Sequence, residues 1–227
     1  MVETSKNTQT TYPDITLTAQ KLNVRRGGRH VFEDISISLT NHSIQYLHGT
    51  NGSGKSTLIR TLSERLTPIS GDISLQIDGE YAEISQNLMV LDHSNGLKNT
   101  FTLLEHCSYF STLLNGEKPE KHHIEQCLET LKLQHLINQP IKYFSSGQRR
   151  RAALLRFLLV DRPIWLMDEP TVGVDAENRA ALADMLKRHI KKGGAAIVAT
   201  HDDIGVEGEV INLDQYTPKM QYGGYWS

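Results

Sequence analysis

Residues 15–24, "ITLTAQKLNV", alternate apolar with polar positions, and residues 30–39, "HVFEDISISL", do so more cleanly through Phe32, Ile35, Ile37 and Leu39. Period-two alternation predicts two half-buried strands. "SIQYLHG" (43–49) predicts a third, ending at Gly49. After a glycine-rich turn, "STLIRTLSERL" changes period. Leu58, Leu62 and Leu66 share one face of a predicted helix that Thr67-Pro68 stops. "GDISLQIDGEYAEI" predicts a hairpin turned at Asp78-Gly79, and "NLMVLD" another strand.

From Lys98 to about Val160 the texture is helical. Thr102-x-x-Glu105 is a capping box heading a helix that carries Leu103, Leu104, Cys107 and Phe110. "HIEQCLETLKL" and "GQRRRAALLRFLLV" predict two more helices. Strands then resume with the apolar "PIWLMDEP" and the buried "AAIVATH". Between them lies the amphipathic "AENRAALADMLKRHIKK", closed by Gly193-Gly194. Apolar strands alternating with helices predict an α/β fold with a parallel sheet covered by helices. The block at about 98–157 reads as a helical insert. Residues 1–14 read as a disordered tail, 15–213 as the domain and 214–227 as a C-terminal tail.

Composition narrows the function. A net charge of −2 over 227 residues predicts no nucleic-acid partner. The longest apolar run, Ala195–Ala199, is far short of the roughly 20 residues of a spanning helix. The polar opening segment has the pattern of neither a secretory signal nor a mitochondrial targeting peptide. Cys107 and Cys127 have no metal-ligand spacing and read as core thiols.

Two stretches carry chemistry. "GTNGSGKST" (Gly49, Thr50, Asn51, Gly52, Ser53, Gly54, Lys55, Ser56, Thr57) lies between a predicted strand and a predicted helix. Its backbone N–H groups can curl around a phosphate, with the helix N-terminus adding positive potential. Lys55 would reach the outer phosphates, and the Ser56 hydroxyl would bind Mg²⁺. In "IWLMDE" the acids emerge at the carboxyl end of a buried strand, where ligands of open parallel sheets sit. Asp168 would hold Mg²⁺, and Glu169 would polarise an attacking water.

A phosphate loop, a helical insert, "FSSGQ" at a helix start and then a strand ending Asp-Glu: this order resembles an ATP-binding-cassette ATPase over about residues 15–213. The resemblance implies a P-loop NTPase with a RecA-like core, an antiparallel β subdomain and a helical subdomain. It also implies that Ser145, Ser146, Gly147 and Gln148 of one cassette meet the nucleotide held by another. "VGVD", ending at Asp175, matches the loop that crosses that dimer interface. His201 matches a switch histidine that contacts the γ-phosphate. Two positions depart from the family. Ser94, preceded by His93, stands where most members have a Gln, and Gln86 lies at the wrong end of its strand. In the adenine-stacking slot stands Arg26, whose guanidinium either stacks on the base or is simply solvated. The run Arg149–Arg151 reads mostly as a solvated or partner-facing helix surface.

"DRPIWLMDEP", the small Ser146 and the short ending after "VATH" are similar to the ATP-binding subunits of haem exporters in cytochrome c maturation. That similarity implies ATP and Mg²⁺ as cofactors, integral membrane subunits as partners and a homodimer of cassettes. It places the chain peripherally on the cytoplasmic face of the inner membrane, or on the matrix face in a mitochondrion. His106, His122, His123 and His135 read as surface or packing residues. Another transporter's ATPase, a soluble cassette and a regulatory cassette with little hydrolysis remain the alternatives.

Overall fold

The computed structural model describes residues 11–218, apart from the side chain of Glu177. Two sheets and six α-helices carry the fold. The first sheet is antiparallel with order β2-β1-β4-β5, made of β1 (Ile15–Arg26), β2 (Arg29–Thr40), β4 (Ser70–Ile77) and β5 (Glu80–Ala82). Its two hairpins turn at Gly27-Gly28 and at Asp78-Gly79, the second as the sequence predicts.

The second sheet is wholly parallel, with order β6-β7-β8-β3-β9. Its strands are β3 (Ile44–His48), β6 (Leu88–Leu91), β7 (Ile164–Asp168), β8 (Ala195–Ala199) and β9 (Glu209–Asn212). β7 shows why β6, β8 and β7 itself up to Asp168 are apolar. Trp165 and Met167 pack into the core that the helices cover. Ile164 and Leu166 pack into the core shared with the antiparallel sheet. Both faces are dry, so neither tolerates a polar residue. Burying one such side chain contributes roughly 1.5–3 kcal/mol.

Helix α1 (Lys55–Leu62) lies between the sheets, with Leu58, Ile59 and Leu62 buried. It is shorter than its apolar face suggests. Ser63 caps it, Glu64 turns to φ +59°, and Leu66 reaches the core from a following turn rather than from the helix. A four-residue helix α2 (Ile84–Asn87) leads into β6. On the other face, α3 (Leu103–Asn115), α4 (Lys121–Thr130) and α5 (Ser146–Leu159) form the insert. α3 begins with the predicted capping box: the Thr102 Oγ1 accepts from the Glu105 N–H, and Glu105 reaches back to the Thr102 N–H. α6 (Ala176–Lys191) completes that layer.

Both ends of the described chain are packed, so the ordered domain is wider than 15–213. Tyr12 hydrogen-bonds Asp161, donates its N–H to the Lys192 carbonyl at 2.9 Å, and sets its ring edge against His189. At the other end Asp214 belongs to a 3-10 turn docked on the phosphate loop. Residues 1–10 and 219–227 of the predicted tails lie outside the described residues. Cys107 and Cys127 are buried free thiols, pushed by burial up to about 12 and about 11.

Candidate functional site

The parallel order brings the ends of β3, β7 and β8 side by side, with β8 in the middle. The phosphate loop leaves β3, the two acids leave β7, and His201 follows β8. Residues more than a hundred positions apart therefore face one cleft of about 970 Å³. Its walls include Asn51, Gly52, Gly54, Lys55, Ser56, Thr57 and Glu169, with Arg26, Arg29, His30 and Val31 from the first hairpin.

The loop is held for its task. Gly54 has φ +101°, and a Cβ there would lie 2.6 Å from Val31 Cγ1, so only glycine lets the hairpin close over the helix start. Lys55 is buried as a residue, and its ammonium donates to the carbonyls of Gly49 at 2.8 Å and Thr50 at 3.3 Å. Ser53 Oγ is buried without a partner. The sequence gives no hint of what braces the loop from behind: the Asp214 carboxylate accepts from the Thr50 N–H at 3.0 Å and its hydroxyl at 2.9 Å. Thr217 and Pro218 extend that wall.

At the end of β7, Asp168 is 2% exposed, and its Oδ1 has no hydrogen-bond partner. Glu169 takes φ +50°, a left-handed backbone that costs a residue with a side chain of order 1–3 kcal/mol and that six other described non-glycine residues also adopt. Its N–H donates to the Ala199 carbonyl at 2.8 Å, which ties β7 to β8 beyond the last ladder pair. Its carboxylate lies 3.6 Å from His201 Nε2. Burial pushes the Glu169 carboxyl above its ordinary range, Asp168 and Asp202 adding to that while His201 and Lys55 oppose it. A carboxylate raised this way is a stronger proton acceptor.

The remaining candidates lie outside this cleft. Ser145 N-caps α5. Its hydroxyl accepts from the Gln148 N–H at 3.2 Å, and Gln148 Oε1 accepts from the Ser145 N–H at 2.9 Å. Asp175 likewise caps α6, accepting from the Asn178 N–H at 2.9 Å. The two loops touch each other: a Cβ on Gly147 would meet the Gly173 carbonyl oxygen at 2.7 Å. Neither Ser145–Gln148 nor Asp175 lines the cleft of its own chain.

Of the arginine run only Arg150 leaves the predicted surface; Arg149 and Arg151 stay half-exposed. Arg149 donates to the carbonyls of Phe144 and Lys142 and to Asn99 Oδ1. Arg151 donates to the carbonyls of Leu131 and Lys132. Arg150 is 5% exposed and reaches the end of β7. A guanidinium offers five N–H donors, and here they satisfy carbonyls that loops and strand ends leave unpaired. In the slot without Gln, Ser94 and His93 are exposed. His122, His123 and His135 are exposed, and His106 is buried against Phe110. Among the described residues no group of His, Cys, Asp or Glu could by itself hold a metal, and no helix is long and apolar enough to cross a membrane.

Residues 32–172 match the family described as ABC transporter. A protein of Ruegeria pomeroyi named cytochrome c biogenesis ATP-binding export protein CcmA is 37% identical over 89% of this chain and 93% of its own length. Its namesake in Paracoccus denitrificans is 36% identical over 88% of this chain and 90% of its own. Among solved structures, a putative ABC transporter ATP-binding protein of Pyrococcus furiosus superposes with a TM-score of 0.78 at 25% identity, over 89% of this chain and all of that one. A dimeric ATP-binding cassette bound to ADP and Pi superposes with a TM-score of 0.75 at 21% identity, over 86% of this chain and 93% of that one, a likeness of fold.

Proposed function

This chain belongs to the ABC transporter family of ATP-binding cassettes, and we propose that it is the ATP-hydrolysing subunit of a haem-exporting complex in cytochrome c biogenesis. The observation that supports the hydrolytic part is the arrival of Lys55, Asp168, Glu169 and His201 at adjacent strand ends, with Lys55 and Glu169 lining a cleft of nucleotide size. The export assignment rests on relatives that share the name along most of both chains.

In this reading the N–H groups of residues 50–57 cradle the β- and γ-phosphates. Lys55 exchanges its carbonyl partners for phosphate oxygens, and Ser53 Oγ, now unpaired, gains one. Arg26 lies at the hairpin wall where the base would stack. The buried, unpartnered Asp168 oxygen fits a cation, because a desolvated carboxylate without a partner is costly. Asp168 and Ser56 would hold Mg²⁺, which neutralises charge on the phosphates when bound. Glu169 draws a proton from the attacking water, and His201 orients the γ-phosphate. Ser145, Ser146, Gly147 and Gln148, with Asp175, face outward to close over the nucleotide of a second copy. Their contact through Gly147 and Gly173 lets them do so as one surface. The chain sits peripherally on the cytoplasmic face of an inner membrane, or on the matrix face in a mitochondrion, against integral membrane subunits that complete the complex.

Two measurements test this. Glu169→Gln should abolish phosphate release and leave an ATP-bound dimer on size exclusion. Equal slow turnover in wild type and variant would instead make the chain a regulatory ATP-binding module. Gentle solubilisation of native membranes, capture of the tagged chain and mass spectrometry should recover polytopic subunits with haem-handling proteins. Recovery of an unrelated permease would remove haem and keep the transporter ATPase; recovery of ribosomes or nothing would remove both.

A further inference from the structure

Helix α5 carries a buried guanidinium that none of these roles uses. All four terminal N–H groups of Arg150 are engaged. Nη1 donates to the Asp92 carbonyl at 3.1 Å and to Asn95 Oδ1 at 2.7 Å. Nη2 donates to the Asp168 carbonyl and to the Glu169 carbonyl, the latter at 2.8 Å. Only Nε lacks a partner. One side chain thus joins three pieces: the helix whose start faces a second copy, the loop after β6, and the end of β7 that bears both acids.

Glu169 makes this junction consequential. Its left-handed backbone is pinned on one side by its N–H to Ala199 and on the other by its carbonyl to Arg150. A strained residue holds its shape only while its surroundings over-determine it. Without Arg150 the peptide would keep only the Ala199 bond and a longer one from the Val172 N–H, at 3.3 Å, and the carboxylate would be aimed less tightly. β6 and the loop after it are gripped a second time from α5, by Arg156 donating to the carbonyls of Val90 in the strand and Asn95 in the loop. That loop carries Ser94 where a Gln is expected, so the tie from loop to acids runs through α5.

We propose that Arg150 is a positioning residue for ATP hydrolysis: it fixes the backbone of Glu169, and thereby the aim of its carboxylate, and couples that aim to displacements of α5 and of loop 92–96. The proposal rests on the ATPase reading above. It differs from a plain buried brace in what it predicts. A brace holds the fold together, whereas an aiming contact affects the chemical step more than nucleotide binding.

The test is Arg150→Met beside Arg150→Lys and Glu169→Gln, with ATP turnover, MgATP affinity and melting temperature measured on each full-length protein. Arg150→Met should lower kcat by about 10- to 100-fold, as expected when a reacting group is displaced by about 1 Å. Its affinity for MgATP should stay within about twofold. Arg150→Lys, whose ammonium can still reach a carbonyl, should recover part of the loss. A folded Arg150→Met with kcat within about twofold of wild type would overturn the proposal. So would a loss of affinity and melting temperature in proportion to the loss of kcat. If Arg150→Met does not fold, Arg150→Lys carries the same comparison: reduced kcat at unchanged affinity supports the aim, and no change in either refutes it. Failure of the ATPase reading is separate, because it shows in Glu169→Gln turning over as fast as wild type.

Discussion

His189 on α6 lies flat against Trp165 of β7, ring centroids 3.7 Å apart and planes 10° from parallel, under the edge of Tyr12. Its ring N–H at Nε2 donates to the Ala195 carbonyl at 3.3 Å. Burial pushes its pKa down from 6.5 to about 4, with the Ala195 and Pro163 carbonyls opposing that. The folded protein therefore keeps the ring neutral where the unfolded chain takes up a proton. Below pH 6.5 the unfolded state binds the extra proton, so this contribution to stability is lost as pH falls, down to about 4 where both states are protonated. Between pH 7.5 and 5.0 the loss integrates to about 2 kcal/mol. His189→Phe keeps an aromatic ring on Trp165 and removes the titration. The assay is urea unfolding of both proteins at the two pH values, followed by tryptophan fluorescence. The stability difference between them should shift by about 2 kcal/mol in favour of the variant at the lower pH. Parallel loss in both proteins would refute the reasoning, since His189 would then titrate alike folded and unfolded.

Glu169 must be ionised to accept a proton, and burial raises its pKa, so the acid limb of kcat against pH should lie above the ordinary glutamate range; a midpoint at or below that range would contradict the role. Asp214→Ala removes the brace behind Thr50 and should weaken MgATP binding by about 3- to 10-fold, at roughly 0.5–1.5 kcal/mol for a hydrogen bond lost, read by calorimetric titration. Leu128→Ala opens a void in the fully buried contact of α4 with the helical core and should cost about 2–5 kcal/mol in chemical unfolding.

Signals that lie within a few residues of one another were readable in the sequence. The phosphate loop is contiguous, and both capping-box partners of α3 lie three positions apart. The apolar runs of β7 and β8 announce strands dry on two faces. What depends on distant neighbours was hidden. β9 reads as nothing in particular, because its four residues are an edge with little buried surface and two polar members. Asp214 is one acid among many until β9 carries it back to Thr50. The arginine run misled for a related reason. Charge at a helix start suggests solvent, yet strand ends and loop ends expose carbonyls that a long guanidinium can satisfy inside the protein. All three arginines donate to carbonyls, and only the packing of α5 on β7 shows that Arg150 is the buried one that reaches the strand end.

The order of the parallel sheet also governs when the site can exist during synthesis. Among the described residues β3 pairs with β8 and β9, and these are the last strands, so the strand that carries the phosphate loop has no sheet partner until residue 195 has been made. Between the appearance of residue 48 and residue 195 a ribosome adding about 5–20 residues per second takes roughly 7–30 seconds. The antiparallel hairpins can form early in that interval, since β1, β2, β4 and β5 all precede residue 83. A nascent chain truncated before β8 would hold the residues of the phosphate loop and the acids without the strand that lies between them. ATP can therefore report on assembly of the parallel sheet, stabilising the chain only once β8 and β9 have been inserted.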